Sequence, residues 1–321
     1  MSSATLLDPQ SPALWQTLAL PLPDGGALPL QVLRLDRCDS LAPGNKLFKL
    51  AGLLPEVSGP ARVLSFGGPW SNHLHALAAL GRERGWQTVG LVRGEALDTP
   101  TLREAADWGM ALHPLCRADY RQRHSDAFQL ACQKRYRADR VIPEGGDCPA
   151  GARGCMAIGA AIGARFGDGD GGFDGGGEGA VVALATGTGT TLAGIVAGLD
   201  RRFEVLGISA LKGAWDTEQR ILANLAALGS AGDTQAARWR LYHEFHCGGF
   251  ARANAELRKL LAWADGQNLP LEPVYTAKAL LALQTLADRG ELSPGKPLVL
   301  VHTGGLQGRR GFDWLAHQPG Q

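Results

Sequence analysis

A lysine that follows a turn sequence is the first residue that could do chemistry. Lys46 comes directly after Pro43-Gly44-Asn45 and precedes an apolar stretch that begins at Leu47, so it lies where a turn gives way to a helix. Partial burial at such a position disfavours the ammonium form of a lysine. Because only the free amine attacks an aldehyde, Lys46 is a candidate for Schiff-base chemistry. A solvated surface lysine is the alternative interpretation.

A second candidate segment runs from Ser65 to His73, after a predicted strand and at the start of a predicted helix. Its two glycines, Gly67 and Gly68, allow a ligand to come close to the backbone. The N-terminus of the helix, together with the hydroxyl of Ser71, is suited to holding a carboxylate. A simple helix cap is the alternative role for these polar side chains.

A third segment, from Ala185 to Thr191, reads ATGTGTT and lies between a predicted strand and a predicted helix. Its small residues expose backbone N–H groups, its hydroxyls add donors, and the helix dipole favours an anion. The segment lacks the lysine of a Walker P-loop and the later acidic partner of a dinucleotide fingerprint. It predicts a phosphate site, with a plain tight turn as the alternative.

Two later segments place further polar side chains at the ends of elements. Glu272-Pro273-Val274-Tyr275-Thr276 precedes a predicted helix, and Val301-His302-Thr303-Gly304-Gly305 closes a predicted strand. Packing and capping would explain both segments, since a buried threonine is usually structural. Their chemical interest depends on whether the fold brings them to the other three segments.

Composition sets limits on the class of protein. The 321 residues suffice for one large or two modest α/β domains, and a net charge of +1 gives no basic field for nucleic acid or an anionic membrane. The six cysteines form no C-x-x-C pair and no zinc spacing, so we expect no metal and a reducing cytoplasm. The first 25 residues lack a basic region followed by an apolar core, so no signal peptide is expected.

Short apolar strands alternate with longer helical stretches, and this alternation predicts an open, doubly wound α/β architecture. Apolar runs without strict alternation are typical of parallel strands that are covered on both faces. The predicted strands are 63–66, 88–92, 180–185, 205–208 and 298–302, and the predicted helices are 73–84, 99–110, 192–199, 253–264 and 276–290.

Two stretches call for a choice between interpretations. Residues 180–199 carry no charge over about a bilayer span, but their glycines and threonines favour a buried strand, a polar turn and a buried helix. Residues 167–179 read GDGDGGFDGGGEG, which superficially resembles a calcium-binding repeat. A single copy without stacking apolar residues favours a flexible loop instead.

Taken together, the order of the segments resembles a known family. GNK, GGxxSN, EGG at residues 144–146, ATGTGTT, EPVYT and HTGG occur in the order found in the 1-aminocyclopropane-1-carboxylate deaminase / D-cysteine desulfhydrase family. The resemblance covers residues 33–305, nearly the whole chain. It implies fold type II of the pyridoxal 5'-phosphate enzymes, like tryptophan synthase β, with two open twisted sheets and helices on both faces. The implied large cofactor-binding domain spans residues 1–49 and 156–321, and a smaller α/β domain, residues 50–155, is inserted in it.

The resemblance also implies roles for individual residues. Lys46 matches the Schiff-base lysine, which also moves protons at the substrate α-carbon, and Asn72 matches the residue that bonds the phenolic oxygen of the cofactor. Ser71 matches a serine that contacts the substrate carboxylate and in some members is the proposed base or nucleophile. The implied catalytic set is Lys46, Ser71 and Tyr275, the substrate-binding set is Trp70, Ser71, Asn72, His73 and Tyr275, and the cofactor-binding set is Lys46, Asn72, Thr186, Gly187, Thr188, Gly189, Thr190, Thr191, Thr276 and Thr303.

Two departures from the family pattern favour one reaction over another. Where the deaminases have a glutamate after the PVY tyrosine, this chain has Thr276, and where they have a second active-site tyrosine it has Phe250. A carboxylate beside the pyridine nitrogen keeps it protonated and strengthens the electron sink, and a threonine does not. Trp70 is bulky enough to narrow the substrate pocket.

We therefore expect a lyase of the D-cysteine desulfhydrase type, which converts a β-substituted small amino acid to pyruvate and ammonia. The alternatives are a deaminase of the 1-aminocyclopropane-1-carboxylate type and, in another class, a protein that holds pyridoxal phosphate without turnover. The expected partners are a small amino acid and a second copy of the chain in a homodimer, and neither nucleic acid nor a membrane is expected.

Overall fold

Ten strands form two sheets in the computed structural model, which describes residues 8, 11–38, 41–54, 59–95, 97–167, 179–230 and 232–316. The larger sheet has the strand order β1-β2-β10-β7-β8-β9 and the smaller has β5-β4-β3-β6. The strands are β1 Trp15–Pro21, β2 Ala27–Arg34, β3 Arg62–Gly67, β4 Gln87–Arg93, β5 Met110–Leu115, β6 Arg140–Ile142, β7 Val181–Thr186, β8 Glu204–Ser209, β9 Arg238–Tyr242 and β10 Leu298–His302.

Helices cover both faces of each sheet. The helices α6, α7 and α8 pack on one face of the larger sheet and α9 and α10 on the other, while α1, α2 and α3 pack on one face of the smaller sheet and α5 on the other. The helices are α1 Asn45–Leu53, α2 Asn72–Arg84, α3 Pro100–Asp107, α4 Arg117–Arg121, α5 Asp126–Tyr136, α6 Pro149–Phe166, α7 Thr190–Ala197, α8 Thr217–Ala227, α9 Ala255–Gly266, α10 Thr276–Asp288 and α11 Asp313–Ala316.

The central strands are apolar throughout because both of their faces are buried. In β7, Val182 and Leu184 contact the core under α6 and α7, whereas Val181 and Ala183 contact the core under α9 and α10. Such strands have no polar face, which is why the sequence shows continuous apolar runs. The predicted α/β class with two sheets and helices on both faces is confirmed.

The predicted strand–turn–helix over residues 180–199 is confirmed by β7 and α7, both of which are buried. Among the described residues, no helix is both long and apolar enough to cross a membrane. The glycine-rich segment 167–179, predicted to be a loop, lies outside the described residues except for Gly167 and Gly179.

Two parts of the fold differ from the prediction. The helix predicted for residues 99–110 ends at Asp107, because Gly109 has a φ of +95° and Met110 already begins β5. The sheets are not entirely parallel, since β1 pairs with β2 in antiparallel register at the edge of the larger sheet. The remaining pairings are parallel.

Helix α6 connects the two halves of the chain through glycine contacts. A Cβ on Gly154 of α6 would lie 2.0 Å from the carbonyl oxygen of Phe48 in α1, and a Cβ on Gly194 of α7 would lie 2.3 Å from that of Ala152 in α6. The three backbones therefore touch directly. Strands β3 to β6 fall within residues 62–142 and the others lie outside this range, but the predicted domain boundaries at residues 50 and 155 stay a prediction.

Candidate active site

A cavity of about 810 Å³ lies beside the carboxyl ends of strands from both sheets. Its lining includes Gly68 after β3, Arg93 at the end of β4, Thr186 at the end of β7 and Thr303 after β10. Open α/β sheets bind their ligands at the carboxyl ends of parallel strands. The fold thus brings the five sequence segments to a single cavity.

Lys46 is the second residue of α1, and the start of this helix is fixed to the loop after β10. Gly44, at a φ of +104°, forms a bridge with Gly304, and a Cβ on Gly44 would be 2.4 Å from the carbonyl oxygen of Thr303. The Asn45 N–H donates to the same oxygen at 3.1 Å. Only glycine fits here, because the backbone is both left-handed and in direct contact with another backbone.

The amine of Lys46 is buried and close to a second lysine. Its Nζ donates to Oδ1 of Asn45 at 2.9 Å, and the Asn45 amide donates in turn to Oγ1 of Thr191 at 2.8 Å. Burial, followed by the positive charge of Lys49, lowers the pKa of Lys46 to about 7, against smaller opposing effects of Cys155 and Glu272. A substantial fraction of the amine is therefore unprotonated near neutral pH, as attack on an aldehyde requires.

The turn between β7 and α7, residues 186–191, carries a chain of hydroxyl hydrogen bonds at the cavity. Oγ1 of Thr188 and Oγ1 of Thr190 lie 2.8 Å apart, and Thr190 donates to Oδ1 of Asp147 at 2.7 Å. Oγ1 of Thr186 is buried and has no hydrogen-bond partner within the described part of the chain. The turn thus offers backbone N–H groups at a helix N-terminus and one hydroxyl that is still available.

Lys49 is a site residue that the sequence interpretation missed. Its Nζ donates to the carbonyl oxygen of Gly145 at 2.9 Å and lies 3.4 Å from Oγ1 of Thr188. Burial lowers its pKa. The indication was present in the sequence, because residues three apart in a helix lie on the same side, so Lys49 had to accompany Lys46.

The start of α2 forms the opposite wall of the cavity. Ser71 caps the helix by accepting from the Leu74 N–H at 3.2 Å, and Oδ1 of Asn72 accepts from Nε2 of Gln307 at 2.8 Å. Trp70, Ser71, Asn72 and His73 all line the cavity. The capping interpretation of Ser71 is correct, and its position at the cavity leaves the carboxylate-binding role open.

His73 is neutral, and its tautomer follows from its neighbours. The Ser65 hydroxyl donates to the Ile142 carbonyl at 2.8 Å, so its oxygen accepts from Nε2 of His73 at 3.0 Å. Nδ1 of His73 therefore has a buried lone pair, with no partner in the described ranges. Burial, together with the charges of Lys46 and Lys49, lowers the pKa of His73 to about 3.

A buried carboxylate organises the turn that carries Tyr275. The Glu272 side chain accepts from the N–H groups of Val274 at 2.7 Å, Tyr275 at 2.8 Å and Thr276 at 2.6 Å. Burial raises the pKa of Glu272. Burial and the nearby Glu272 charge also raise the pKa of Tyr275, whose ring meets that of Phe250 edge to face at 6.3 Å.

Two of the predicted site residues do not reach the cavity. The Thr276 hydroxyl accepts from the Glu272 N–H at 2.9 Å and lies 3.3 Å from the Glu272 carbonyl oxygen, and the Thr190 hydroxyl is engaged by Asp147. Both residues are buried behind the lining. The predicted residues that do line the cavity are Lys46, Trp70, Ser71, Asn72, His73, Thr186, Gly187, Thr188, Gly189, Thr191, Tyr275 and Thr303.

Comparisons with known proteins found a matching family model and similar sequences. The profile of a family described as "pyridoxal-phosphate dependent enzyme" matches residues 46–304. A Pyrococcus abyssi protein provisionally named 1-aminocyclopropane-1-carboxylate deaminase is 27% identical over 287 residues, 83% of this chain and 81% of that protein. A D-cysteine desulfhydrase of Salmonella newport is 26% identical over 281 residues, 82% of each chain.

Solved structures show the same fold. A homologue of 1-aminocyclopropane-1-carboxylate deaminase superposes with a TM-score of 0.71 over 98% of both chains, at 23% identity. An O-ureido-L-serine synthase superposes with a TM-score of 0.64 over 100% of this chain and 96% of that chain, at 13% identity. The predicted fold type and family resemblance are confirmed. The cytoplasmic location and the homodimer stay predictions.

Proposed function

The chain belongs to the family of pyridoxal-phosphate dependent enzymes, and on that premise we propose that it is a lyase that eliminates the β-substituent of a small amino acid. The α C–H bond and the bond from the β-carbon to the leaving group would break, and one water would hydrolyse the released 2-aminoacrylate. The products would be pyruvate, ammonia and the protonated leaving group. This reaction is of the type named in the D-cysteine desulfhydrase relatives.

The cavity fits the cofactor. Residues 186–191 and Lys49 provide backbone N–H groups, hydroxyls and a cation for the phosphate. The unpartnered Oγ1 of Thr186 supports this assignment, because a buried hydroxyl without a partner is costly unless a ligand satisfies it. Lys46 would hold the aldehyde carbon, Asn72 the phenolic oxygen and Thr303 the ring nitrogen.

Three side chains of this protein would do the work on the amino acid. Ser71, at the start of α2, would bind the α-carboxylate together with the backbone N–H groups of the helix. The amine of Lys46, with its pKa of about 7, would take the α-proton and return it as needed. Tyr275, whose pKa is raised, stays protonated and would serve as a hydrogen-bond donor near the leaving group.

The observation that favours elimination is that the carboxylates lining the cavity already have hydrogen-bond or ion-pair partners. Bound pyridoxal phosphate withdraws electrons from the α-carbon, and does so more strongly when a carboxylate keeps its ring nitrogen protonated. Of the described lining residues, Glu144 is bonded to Arg123, Asp216 to Arg220 and Glu272 to the backbone. Thr303 then offers a neutral hydroxyl, which suits a reaction with prompt departure of the leaving group.

Phe250 also favours elimination over opening of a cyclopropane ring. It lines the cavity against Tyr275 and has no hydroxyl, so Tyr275 is the one phenol in the lining as far as the structure describes it. Opening of a cyclopropane ring requires proton transfers that a second phenol would help. Ring opening is the second candidate function, because several relatives are provisionally named deaminases.

A substrate screen tests the proposal. Cofactor-loaded protein is incubated with D- and L-cysteine, β-chloroalanine and 1-aminocyclopropane-1-carboxylate, and pyruvate and 2-oxobutyrate are measured separately. We expect pyruvate from a β-substituted amino acid and little 2-oxobutyrate, with Lys46→Ala as the inactive control. Faster turnover of the cyclopropane substrate than of every β-substituted amino acid would refute the proposal in favour of the deaminase.

A further inference from the structure

Three arginines line the cavity, and two of them are neutralised by carboxylates. Arg123 is paired with Glu144. Arg220 is paired with Asp147 at 2.9 Å and with Asp216 at 2.7 Å. The charge of each of these two guanidinium groups is therefore already balanced by a carboxylate.

Arg93 differs from both. It is exposed at the end of β4, lines the cavity, and makes no ion pair or side-chain hydrogen bond within the residues that the structure describes. Its guanidinium carbon lies 6.0 Å from the ring centre of Tyr120. The Tyr120 hydroxyl donates to Glu144, and the Arg123 guanidinium stacks over the same ring at 4.7 Å. Arg93 is thus positioned against an aromatic ring that is itself fixed.

Arg93 lies close to the turn that leads to Ser71. Its Nη2 would lie 3.7 Å from a Cβ placed on Gly68, in the turn that leads to Ser71. The phosphate already has Lys49 and the start of α7, and the α-carboxylate has the start of α2. The remaining cation is therefore unassigned, and an unpaired guanidinium at a cavity is suited to bidentate binding of an anion.

We propose that Arg93 binds a second anionic group, so that the preferred substrate is an amino acid whose β-substituent, the leaving group, carries a phosphate or a carboxylate. This inference rests on the proposed β-elimination for its catalytic consequence. The binding of an anionic side chain by Arg93 does not depend on that reaction. The anion would sit between Arg93 and the turn at Gly68, while Ser71 holds the α-carboxylate.

Two pairs of matched compounds test the inference. The first pair is O-phosphoserine and O-acetylserine, each as D and L isomers, compared by kcat/KM for pyruvate release. The second pair is aspartate and alanine, which lack a leaving group, compared by titration of the cofactor absorbance. We expect wild-type protein to favour the anionic member of each pair by about ten- to one hundred-fold, the effect of one hydrogen bond to a charged group.

Arg93→Gln should remove this preference and leave O-acetylserine and alanine almost unchanged. Arg238→Gln is the matched control, because Arg238 is an exposed arginine of β9 that does not line the cavity. Arg93→Glu should reverse the preference, so that 2,3-diaminopropionate binds better than aspartate. Because Arg93 is exposed at the end of a strand, we expect each variant to fold.

The outcomes separate the inference from the proposed function. Equal weakening of alanine and aspartate in Arg93→Gln would make Arg93 a clamp for the α-carboxylate and overturn the inference. An unchanged preference in that variant would also overturn it. Binding of aspartate that depends on Arg93, without pyruvate from any β-substituted compound, would uphold the anion site and refute the elimination.

Discussion

The cavity has two walls built on the same plan, a strand followed by a glycine turn and a helix N-terminus. One is β7 with α7, from the larger sheet, and the other is β3 with α2, from the smaller sheet. In the turn after β7, Gly189, Thr190 and Thr191 are buried, whereas Gly68, in the turn after β3, is partly buried, and the nearest atom to a Cβ placed on it is 3.7 Å away. Pro69, Trp70, Ser71 and Asn72 are also only partly buried.

This difference fits two kinds of anion. A phosphate that stays bound through many turnovers gains from a rigid, desolvated turn, because no ordering cost is paid when it is present. A carboxylate that enters and leaves at each turnover needs an accessible helix start. Under the proposed function, the same local motif would serve as a permanent anchor at one wall and as an exchangeable site at the other.

Removal of the lysine between the two walls should have the largest effect. Lys46→Ala should lower turnover by about 10³-fold or more, since it removes both the covalent link and a proton-transfer group. Both walls should still bind their anions, so the variant should hold pyridoxal phosphate reversibly and more tightly than pyridoxal. Borohydride reduction of wild-type protein followed by peptide mass analysis should mark Lys46. A mark on Lys49 would contradict the assignment.

Alanine at one glycine of each turn should separate the two walls. Gly189→Ala places a side chain at a φ of +84° and against Ile221, a strain of about 2–4 kcal/mol, and should weaken cofactor binding by at least tenfold. Gly67→Ala would put its Cβ 2.5 Å from Oγ of Ser71, and should weaken amino-acid binding while cofactor binding survives.

Gly163→Ala is the control for this pair, because its Cβ would make only an ordinary contact and Gly163 of α6 does not line the cavity. Cofactor and amino-acid affinities are measured by absorbance titration for each variant. The comparison between the walls fails if both substitutions weaken the cofactor equally.

Ser71→Ala should have an intermediate effect on amino-acid binding, and it tests the wall formed by β3 and α2. Loss of the hydroxyl removes a helix cap, at about 1 kcal/mol of stability, and a contact to the substrate carboxylate, at about 1.5–3 kcal/mol of binding. Asn254→Ala removes the equivalent cap of α9, whose side chain does not line the cavity, and should lower stability alone. Collapse of turnover with unchanged amino-acid binding would instead make Ser71 the proton-transfer base.

The smallest effect should be a shift in pH dependence. The rate at which cofactor-free protein captures pyridoxal should rise with pH through about 7, because the Lys46 amine must lose its proton. Lys49→Met removes a neighbouring positive charge, so the pKa of Lys46 should rise and the midpoint should move to higher pH. Pyridoxal lacks the phosphate, which keeps the second role of Lys49 out of the measurement. A midpoint that stays in place would remove Lys49 as a cause of the low pKa.

The sequence predicted the turns well and the distant contacts poorly. β10 spans residues 298–302 as predicted, and Lys46, Ser71 and residues 186–191 lie where turns give way to helices, because glycine and capping residues act locally. Thr276 lies behind the cavity lining because its hydroxyl and backbone N–H are bonded to Glu272. The sequence does not reveal that this carboxylate is buried. The arrangement of Arg93, Tyr120 and Glu144 depends on three separate segments, and no local pattern indicates it.

The glycine contacts of α6 have a mechanical consequence. Because Gly154 and Gly194 leave no side-chain layer between α1, α6 and α7, the three helices pack at direct backbone contact. The spacing between Lys46 and the turn at 186–191 is then set by main-chain thickness and not by side-chain rotamers. Substitutions at the exposed positions of α6, such as Arg153 and Ala160, can therefore accumulate without changing the distance between the Lys46 backbone and that turn.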